Sequence, residues 1–158
     1  MALTKIIKFS FSMIICFAAA GLGSLFTFSS IPTWYASLDK PFFNPPNWIF
    51  SPVWTLLYFL MGISLYLILL NGWQDREAKR GIILFFAQLL LNVAWSFLFF
   101  FLHNPAIAFI IIILLWIMIF LSIFQFLKIN KLASYLLIPY LLWVSFASIL
   151  NFSIWQLN

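Results

Sequence analysis

The chain has 158 residues, of which 66% are hydrophobic and 7% are charged, and its mean hydropathy is +1.14. Water-soluble domains are about half apolar and about a quarter charged, so this composition excludes an ordinary soluble domain. The net charge of +5 does not indicate a nucleic acid partner, because the basic residues lie between long apolar runs and form no cluster that could reach phosphates. Cys16 is the only cysteine, so no internal disulfide can form.

Five apolar runs of membrane-spanning length follow one another along the chain. A helix needs about 20 residues to cross about 30 Å of hydrocarbon. The runs therefore predict helices at residues 6–28, 48–70, 81–102, 106–127 and 132–157. No stretch alternates polar and apolar residues as a transmembrane strand does. We therefore predict an all-α membrane protein, a five-transmembrane-helix bundle that forms one domain over residues 1–158.

The connections between these runs predict how the helices are joined. Alanines at 18–20 resemble a signal-peptidase site, but the first apolar run continues well past them, so we expect it to be retained as a span. Residues 29–47 contain four prolines and predict a long, stiff loop. Residues 103–105 form a very short turn, which makes the third and fourth helices antiparallel neighbours. Pro139 predicts a kink in the last helix.

Basic residues are distributed unequally between the two ends of the predicted bundle. Seven of the eight fall on the side of the N-terminus: Lys5, Lys8, Arg76, Lys79, Arg80, Lys128 and Lys131. Only Lys40 falls on the other side. Because positive charge stays on the cytoplasmic face during insertion, we expect a cytoplasmic N-terminus, with the first loop and the C-terminus outside. In a bacterium this implies the cytoplasmic membrane.

Titratable groups are scarce and lie outside the spans. Acid and base catalysis needs such groups within reach of a substrate, and the chain offers only Asp39, Asp75, Glu77 and His103, all in connecting segments. One His and one Cys do not make a metal site. No charged residue lies inside a span, which argues against a proton relay. We therefore predict no catalytic residue, no metal and no required cofactor, and expect aromatic and neutral polar groups to act instead.

Seven of the eight tryptophans fall into two sets. Those near the ends of the runs are typical of interfacial belts: Trp34, Trp48, Trp73 and Trp155. Trp95, Trp116 and Trp143 lie deeper, where belt placement does not explain them. Trp116 is flanked by aliphatic residues, so packing explains it, whereas packing between helices and lining of a cavity both remain open for Trp95 and Trp143.

Polar and aromatic side chains line one face on each of two predicted helices. They are Gln88, Asn92, Trp95 and Ser96 on the third run, and Trp143, Ala147 and Asn151 on the fifth. Amides facing lipid are costly, so both faces should point inward, either bonding neighbouring helices or lining a cavity. Trp54 and Tyr58 lie at a similar depth in the outer half, level with the proline-rich loop. The sequence thus predicts a pocket roofed by that loop.

Three stretches of the chain carry a distinctive series of motifs. In chain order these are Trp34-Tyr35, Lys40-Pro41, Asn44-Pro45-Pro46, Pro52-Val53-Trp54, Leu57-Tyr58, Gln88-Leu89, Leu91-Asn92, Trp95-Ser96, Pro139-Tyr140, Trp143, Ala147 and Leu150-Asn151. Their order, their spacing and the five-helix layout resemble the TspO/MBR family of tryptophan-rich sensory proteins and translocator proteins over nearly the whole chain. Agreement of the whole series is far more specific than any single motif.

The resemblance implies a homodimer of five-helix subunits in the lipid bilayer, each with a cavity closed by the first loop. It implies a sensor or translocator that binds porphyrin or haem, and in some members a sterol. Carried over by position, the ligand-binding residues are Tyr35, Pro45, Pro46, Trp54, Tyr58, Asn92, Trp95, Trp143, Ala147 and Asn151. Flat conjugated rings would stack on Trp and Tyr, and the Asn amides would orient the ligand edge.

Other functions stay open at this stage. Trp54 and Trp143 match positions implicated in light- or oxygen-dependent porphyrin degradation in some members, so a catalyst of that reaction is one alternative. A sterol-binding, lipid-binding or assembly protein without transport is another. The chain departs from the sterol pattern of animal members, since no Lys or Arg follows Tyr140. No His or Cys is expected to reach the iron of a bound haem.

Overall fold

A computed structural model describes residues 2–72 and 75–158. Seven α-helices occur in these two ranges: α1 (Ala2–Thr27), α2 (Trp34–Ser37), α3 (Phe50–Leu69), α4 (Arg76–Ser96), α5 (Pro105–Leu127), α6 (Lys131–Tyr135) and α7 (Ile138–Leu157). A 3₁₀ turn at Asn47–Ile49 leads into α3, and a wide π turn at Phe97–Phe101 extends α4. Trp73, which the sequence assigns to an interfacial belt, lies outside the described residues.

Five helical stretches are long and apolar enough to cross a bilayer. They are Leu3–Thr27, Asn47–Leu69, Arg76–Phe101, Pro105–Leu127 and Lys131–Leu157. The described part of the chain holds no strand. The predicted fold class, an all-α bundle of five transmembrane helices, is therefore confirmed, and the chain is an integral, multi-pass membrane protein.

The third spanning helix begins at Arg76, earlier than the predicted residue 81. Asp75 is the reason, because its side chain accepts hydrogen bonds from the backbone N–H groups of Glu77 at 2.8 Å and Ala78 at 3.4 Å. An aspartate in this N-cap position satisfies donors that a helix start otherwise leaves unpaired. The charged residues that follow Asp75 therefore form the first turns of α4.

The last spanning segment is divided into two helices. α6 ends at Tyr135 and α7 begins at Ile138, so the kink predicted at Pro139 is a break just before that residue. Pro139 lies in the first turn of α7, where its missing N–H would have no helical partner. Ser64 of α3 secures the short helix by donating to the carbonyl of Ala133 at 2.7 Å.

The lid, which we define as residues 29–47, is partly helical. The sequence predicts a loop there, but the structure contains α2 within it. The backbone N–H of Tyr35, in α2, donates to the carbonyl of Ser30 at 2.8 Å. Its N-terminal flanking residue, Thr33, makes no side-chain capping bond. A helix of four residues has little stability of its own, so its contacts with the bundle hold it in place.

Helix packing places four spans around one interior space. α4 and α5 pack along each other as the short turn at 103–105 predicts, with His103 in the left-handed region at φ 52°. α1 packs on α3 and α4, and α5 packs on α7. α1 is the least buried of the five spans. The interior space lies between α1, α3, α4 and α7, on the side of the bundle that carries the lid.

Candidate functional site

A cavity of about 240 Å³ lies beneath the lid. Eight of the ten residues predicted to bind a ligand line it: Tyr35, Trp54, Tyr58, Asn92, Trp95, Trp143, Ala147 and Asn151. Pro45 and Pro46 belong to the lid but do not line the cavity. Residues far apart in the sequence are thus brought together as the pattern predicts, and their role in binding a ligand stays a prediction.

Indole and phenyl rings form the walls of the cavity. The ring of Trp54 lies 5.8 Å from that of Tyr58 and 6.5 Å from that of Trp95, centroid to centroid. Trp95 in turn stacks on Phe99 of the π turn at 5.6 Å. Trp143 packs on Phe146 at 5.4 Å. Such surfaces suit a flat, apolar ligand, because aromatic rings interact well face to face and edge to face.

One polar network lies at the end of the cavity farthest from the lid. The phenol of Tyr58 donates to Asn92 Oδ1 at 3.1 Å, and Asn92 Nδ2 donates to the phenol oxygen of Tyr140 at 2.6 Å. Tyr140 and Asn92 are almost completely buried. Asn92 therefore joins α4 to α3 and α7 while also lining the cavity.

A second network lies nearer the lid. The indole N–H of Trp95 donates to Asn151 Oδ1 at 2.9 Å, and Asn151 Nδ2 donates to the backbone carbonyl of Pro105 at 2.8 Å. α4, α7 and the start of α5 are tied together at this level. The side-chain polar atoms of Trp95 and Asn151 are thus engaged with protein groups.

Two buried polar side chains lack a hydrogen-bond partner among residues 2–72 and 75–158. Neither amide atom of Gln88 is bonded, although this residue is 1% exposed. The indole N–H of Trp143 is also buried and unbonded within the same ranges. Buried polar groups are usually paired, so each is a place where an additional acceptor or donor would be stabilising.

Three contacts fasten the lid to the bundle. Ser30 Oγ donates to the carbonyl of Phe100 in the π turn at 2.5 Å. Asp39 and Asn158 form a reciprocal pair, in which the backbone N–H of Asp39 donates to Asn158 Oδ1 and Asn158 Nδ2 donates to the carbonyl of Asp39, both at 3.0 Å. Trp34 stacks on the ring of His103 at 4.4 Å, only 18° from parallel.

Tyr35 connects the lid to the cavity. Its phenol donates to Asn44 Oδ1 at 2.7 Å, and Lys40 Nζ lies 5.0 Å from the centre of its ring, a cation–π contact. Burial raises the pKa of the Tyr35 phenol to about 12. The phenol therefore keeps its proton and remains a hydrogen-bond donor at neutral pH.

Sequence reasoning did not identify the wall formed by α1. Phe17, Ala20, Gly23, Ser24 and Thr27 line the cavity and recur every three or four residues, as one face of a helix does. Small residues such as those at positions 18–23 are equally typical of close helix packing. The spacing was visible in the sequence, but small and apolar side chains do not distinguish a cavity wall from a packed face.

The remaining candidates lie away from the cavity. The indole N–H of Trp116 donates to Ser145 Oγ at 2.8 Å, which joins α5 to α7 in a packing role. In the described ranges, no group of three or more His, Cys, Asp and Glu side chains could hold a metal ion. The arrangement offers ring surfaces and fixed amides, which suit binding of a flat molecule.

Comparison with known proteins adds independent evidence. The model of the TspO/MBR family matches residues 12–156. The chain is 50% identical to "Tryptophan-rich protein TspO" of Archaeoglobus fulgidus over 155 residues, covering 98% of this chain and 99% of that protein. It is 47% identical to the protein of the same name from Chlorobaculum tepidum over 144 residues, or 91% of each chain. Similarity extends to "Translocator protein" of Ovis aries, 40% identical over 126 residues, covering 79% of this chain and 75% of that protein.

Proposed function

The chain belongs to the TspO/MBR family, and on that premise we propose that it binds a porphyrin-type tetrapyrrole as a membrane sensor or translocator. The observation that carries this proposal is the cavity beneath the lid, where Trp54, Trp95 and Trp143 come from three different spans. A tetrapyrrole is flat, conjugated and largely apolar, so its faces match indole rings.

The polar atoms around the cavity favour a ligand that carries a hydrogen-bond acceptor at its edge. Asn92 and Asn151 already bond neighbouring helices, so they present a fixed surface rather than free donors. The indole N–H of Trp143 has no partner in the described part of the chain. Because this nitrogen is buried, a carboxylate or carbonyl oxygen would satisfy it only after the indole turned toward the cavity, and a porphyrin propionate supplies such an oxygen.

Fluorescence titration tests the proposal. Protoporphyrin added to the purified protein in detergent should quench tryptophan emission saturably. The double variant Trp54→Phe, Trp143→Phe should weaken the Kd about tenfold, since two aromatic contacts of about 0.5–1.5 kcal/mol each are altered. The matched control is Trp48→Phe, Trp116→Phe, which also removes two indoles but none that lines the cavity. Equal Kd values for the two double variants would count against this cavity.

Porphyrin degradation is the second candidate. Its support is that Trp54 and Trp143 line the same cavity, so a bound porphyrin would lie beside both indoles. Illumination of the complex followed by product analysis separates the candidates. A binder returns the porphyrin unchanged, whereas a catalyst consumes it, and the loss should then fall in the double variant. Sterol or lipid binding would show as competition with the porphyrin for the quench.

We further propose that residues 1–158 act as one membrane domain, in a homodimer, with the N-terminus cytoplasmic and the lid and C-terminus outside. The orientation is supported by side chains at one end of the bundle. Glu77 at the start of α4 pairs with Arg80 at 3.1 Å and with Lys128 after α5 at 3.6 Å. Positive charge thus gathers at the end away from the lid, which in a bacterium would face the cytoplasm.

A further inference from the structure

We propose that the ligand reaches the cavity sideways from the bilayer, through the seam where α1 and α3 diverge on the lid side. The inference rests on the proposed function, because it concerns the route to the same cavity. The seam is formed by Phe17, Ser24 and Thr27 of α1 and by Ser51 and Thr55 of α3. All five residues line the cavity.

α1 and α3 are in close contact in the halves away from the lid. A methyl group added at Gly62 of α3 would lie 2.8 Å from Met13 Sδ of α1, too close for an undistorted contact. One turn farther from the lid, the rings of Phe9 and Tyr66 pack edge to face at 5.4 Å. The two helices therefore touch closely in this half, and a Cβ at position 62 would require the Met13 side chain to move.

Toward the lid the same two helices no longer seal the interior. Phe17 is 41% exposed even though it lines the cavity. Ser24 on α1 and Ser51 and Thr55 on α3 are likewise both exposed and part of the cavity wall. Residues with both properties on two facing helices mark where an interior space reaches the surface. That surface lies on two of the five membrane-spanning helices, and the proposed route assigns lipid as its neighbour.

Side chains along the seam suit passage of an apolar ring. Ser24 Oγ donates to the carbonyl of Ala20 at 2.9 Å, and Thr55 Oγ1 donates to that of Ser51 at 2.8 Å, so each hydroxyl proton is used within its own helix. An unpaired donor facing hydrocarbon would be costly. Ser24 and Thr55 therefore leave room between the helices and present no unbonded donor to a ligand that slides past.

The lid obstructs most of the route from the aqueous side, and only its last residue, Asn47, is both exposed and part of the cavity wall, next to Ser51. The lid is held by the Ser30 bond to Phe100, by the reciprocal pair of Asp39 and Asn158, and by the stack of Trp34 on His103. A ligand that entered from water would have to break several of these contacts. A ligand dissolved in the bilayer would meet four small hydroxyl side chains and the apolar ring of Phe17 at the seam.

The cavity is too small to enclose a macrocycle completely, which favours an opening at its side. Its volume of about 240 Å³ lies below the range of about 300–1,000 Å³ that is usual for small-molecule sites. A flat macrocycle seated against Trp54 and Trp95 would then extend one edge into the seam. The fitting ligand is a bilayer-soluble, planar tetrapyrrole, with its apolar edge between α1 and α3.

Binding kinetics in proteoliposomes test the route. Thr55→Phe and Ser24→Phe each place a ring in the seam, and Leu56→Phe is the matched control, since Leu56 is the next residue on α3, is 56% exposed and does not line the cavity. Rapid mixing with protoporphyrin and detection by tryptophan quenching gives both rate constants. We expect both seam variants to slow association about tenfold, because a ring in the seam narrows the route, and Leu56→Phe to match the wild type.

A lid variant completes the design. Asn158→Ala removes the pair with Asp39, and it should leave both rate constants at their wild-type values. The proposal is overturned if Asn158→Ala speeds association while both seam variants bind at the wild-type rate. It is also overturned if the seam variants weaken the Kd without slowing association. A wild-type protein that shows no saturable quenching would instead refute the proposed function, and the seam route would fall with it.

Discussion

Asn92 and Asn151 line the cavity, yet their side-chain amides bond neighbouring helices. Asn92 connects Tyr58 to Tyr140, and Asn151 connects Trp95 to the carbonyl of Pro105. A ligand therefore meets amides whose positions are fixed and whose desolvation is already complete. Recognition should then depend on ring contact and shape more than on new hydrogen bonds to these two residues.

Gln88 is the contrasting residue. It lies one turn from Asn92 on the same face of α4, but neither of its amide atoms has a partner within residues 2–72 and 75–158. A paired buried amide stabilises a fold, whereas an unpaired one is destabilising relative to an apolar group of the same shape. The two amides should therefore respond in opposite ways to removal.

We predict that Gln88→Met leaves the stability unchanged or raises it, because methionine fills a similar volume and removes the unpaired amide. Asn92→Leu should lower the free energy of unfolding by about 1–2 kcal/mol, since it breaks two hydrogen bonds and leaves the phenols of Tyr58 and Tyr140 without their shared partner. Thermal unfolding in detergent measures both effects. Equal losses for the two variants would show that the amide of Gln88 is bonded as well.

The pairing of α1 with α3 depends on a small residue at one position. Gly62 of α3 faces Met13 of α1, and an added Cβ there would come within 2.8 Å of the sulfur. Gly21 of α1 has no atom within 4 Å of the position where its Cβ would lie, in the part of the chain that the structure describes. Close approach of helices through small residues is a common source of stability in membranes, where no hydrophobic force drives helices together.

The two glycines form a matched pair for mutation. Gly62→Leu should destabilise the protein by about 1–3 kcal/mol, because the side chain must displace Met13 and separate the helices. Gly21→Leu should change little, since leucine has the better helix propensity and enters open space. Thermal unfolding of both variants under the same detergent conditions provides the comparison. A destabilised Gly21→Leu beside an intact Gly62→Leu would contradict this account of the helix pair.

Spanning helices were predictable from hydropathy, but their ends were not. The first turns of α4 are charged, so an apolar criterion excludes them, and the Asp75 cap that starts this helix is a local hydrogen-bond effect. α2 is held by tertiary contacts such as the stack of Trp34 on His103. Contacts between segments far apart in the chain leave no periodic pattern in the sequence around α2.

The cavity was predictable where its residues have distinctive chemistry. Trp54, Asn92 and Asn151 are conspicuous in an apolar span, and their depth alone placed them together. α1 contributes small and apolar residues, which look the same whether they pack against a helix or border a space. The contribution of α1 to the cavity wall could therefore be recognised only from the positions of the helices relative to one another.

At the scale of the whole molecule, charge separates the two ends of the bundle. The lid end carries Lys40, whereas the opposite end carries the exposed side chains of Lys5, Arg76, Lys79, Arg80, Lys128 and Lys131. Cys16 is fully buried. A cysteine introduced at an exposed position would therefore be labelled without interference from the native thiol.

We predict that Phe42→Cys reacts with a membrane-impermeant thiol reagent in intact bacterial spheroplasts that express the protein. Phe42 in the lid is completely exposed and should face the outside. Lys131→Cys, at the start of α6, is the matched variant and should react only after the membrane is permeabilised. Labelling is detected by a mass shift of the purified protein, and the reverse pattern would invert the proposed orientation.

The wide turn at Phe97–Phe101 holds one residue more than a regular α-helix would, as shown by the bond from the N–H of Leu102 to the carbonyl of Phe97 at 3.0 Å. Deleting one residue from this stretch would let the helix continue regularly without rotating the residues that follow, because a π turn takes up its extra residue within itself. The carbonyls of the stretch would then rejoin the regular helical ladder, and the Phe100 carbonyl would leave Ser30. Among related sequences, gaps in an alignment at this point should therefore coincide with changes in the lid, whereas gaps in the segment between α3 and α4 should not.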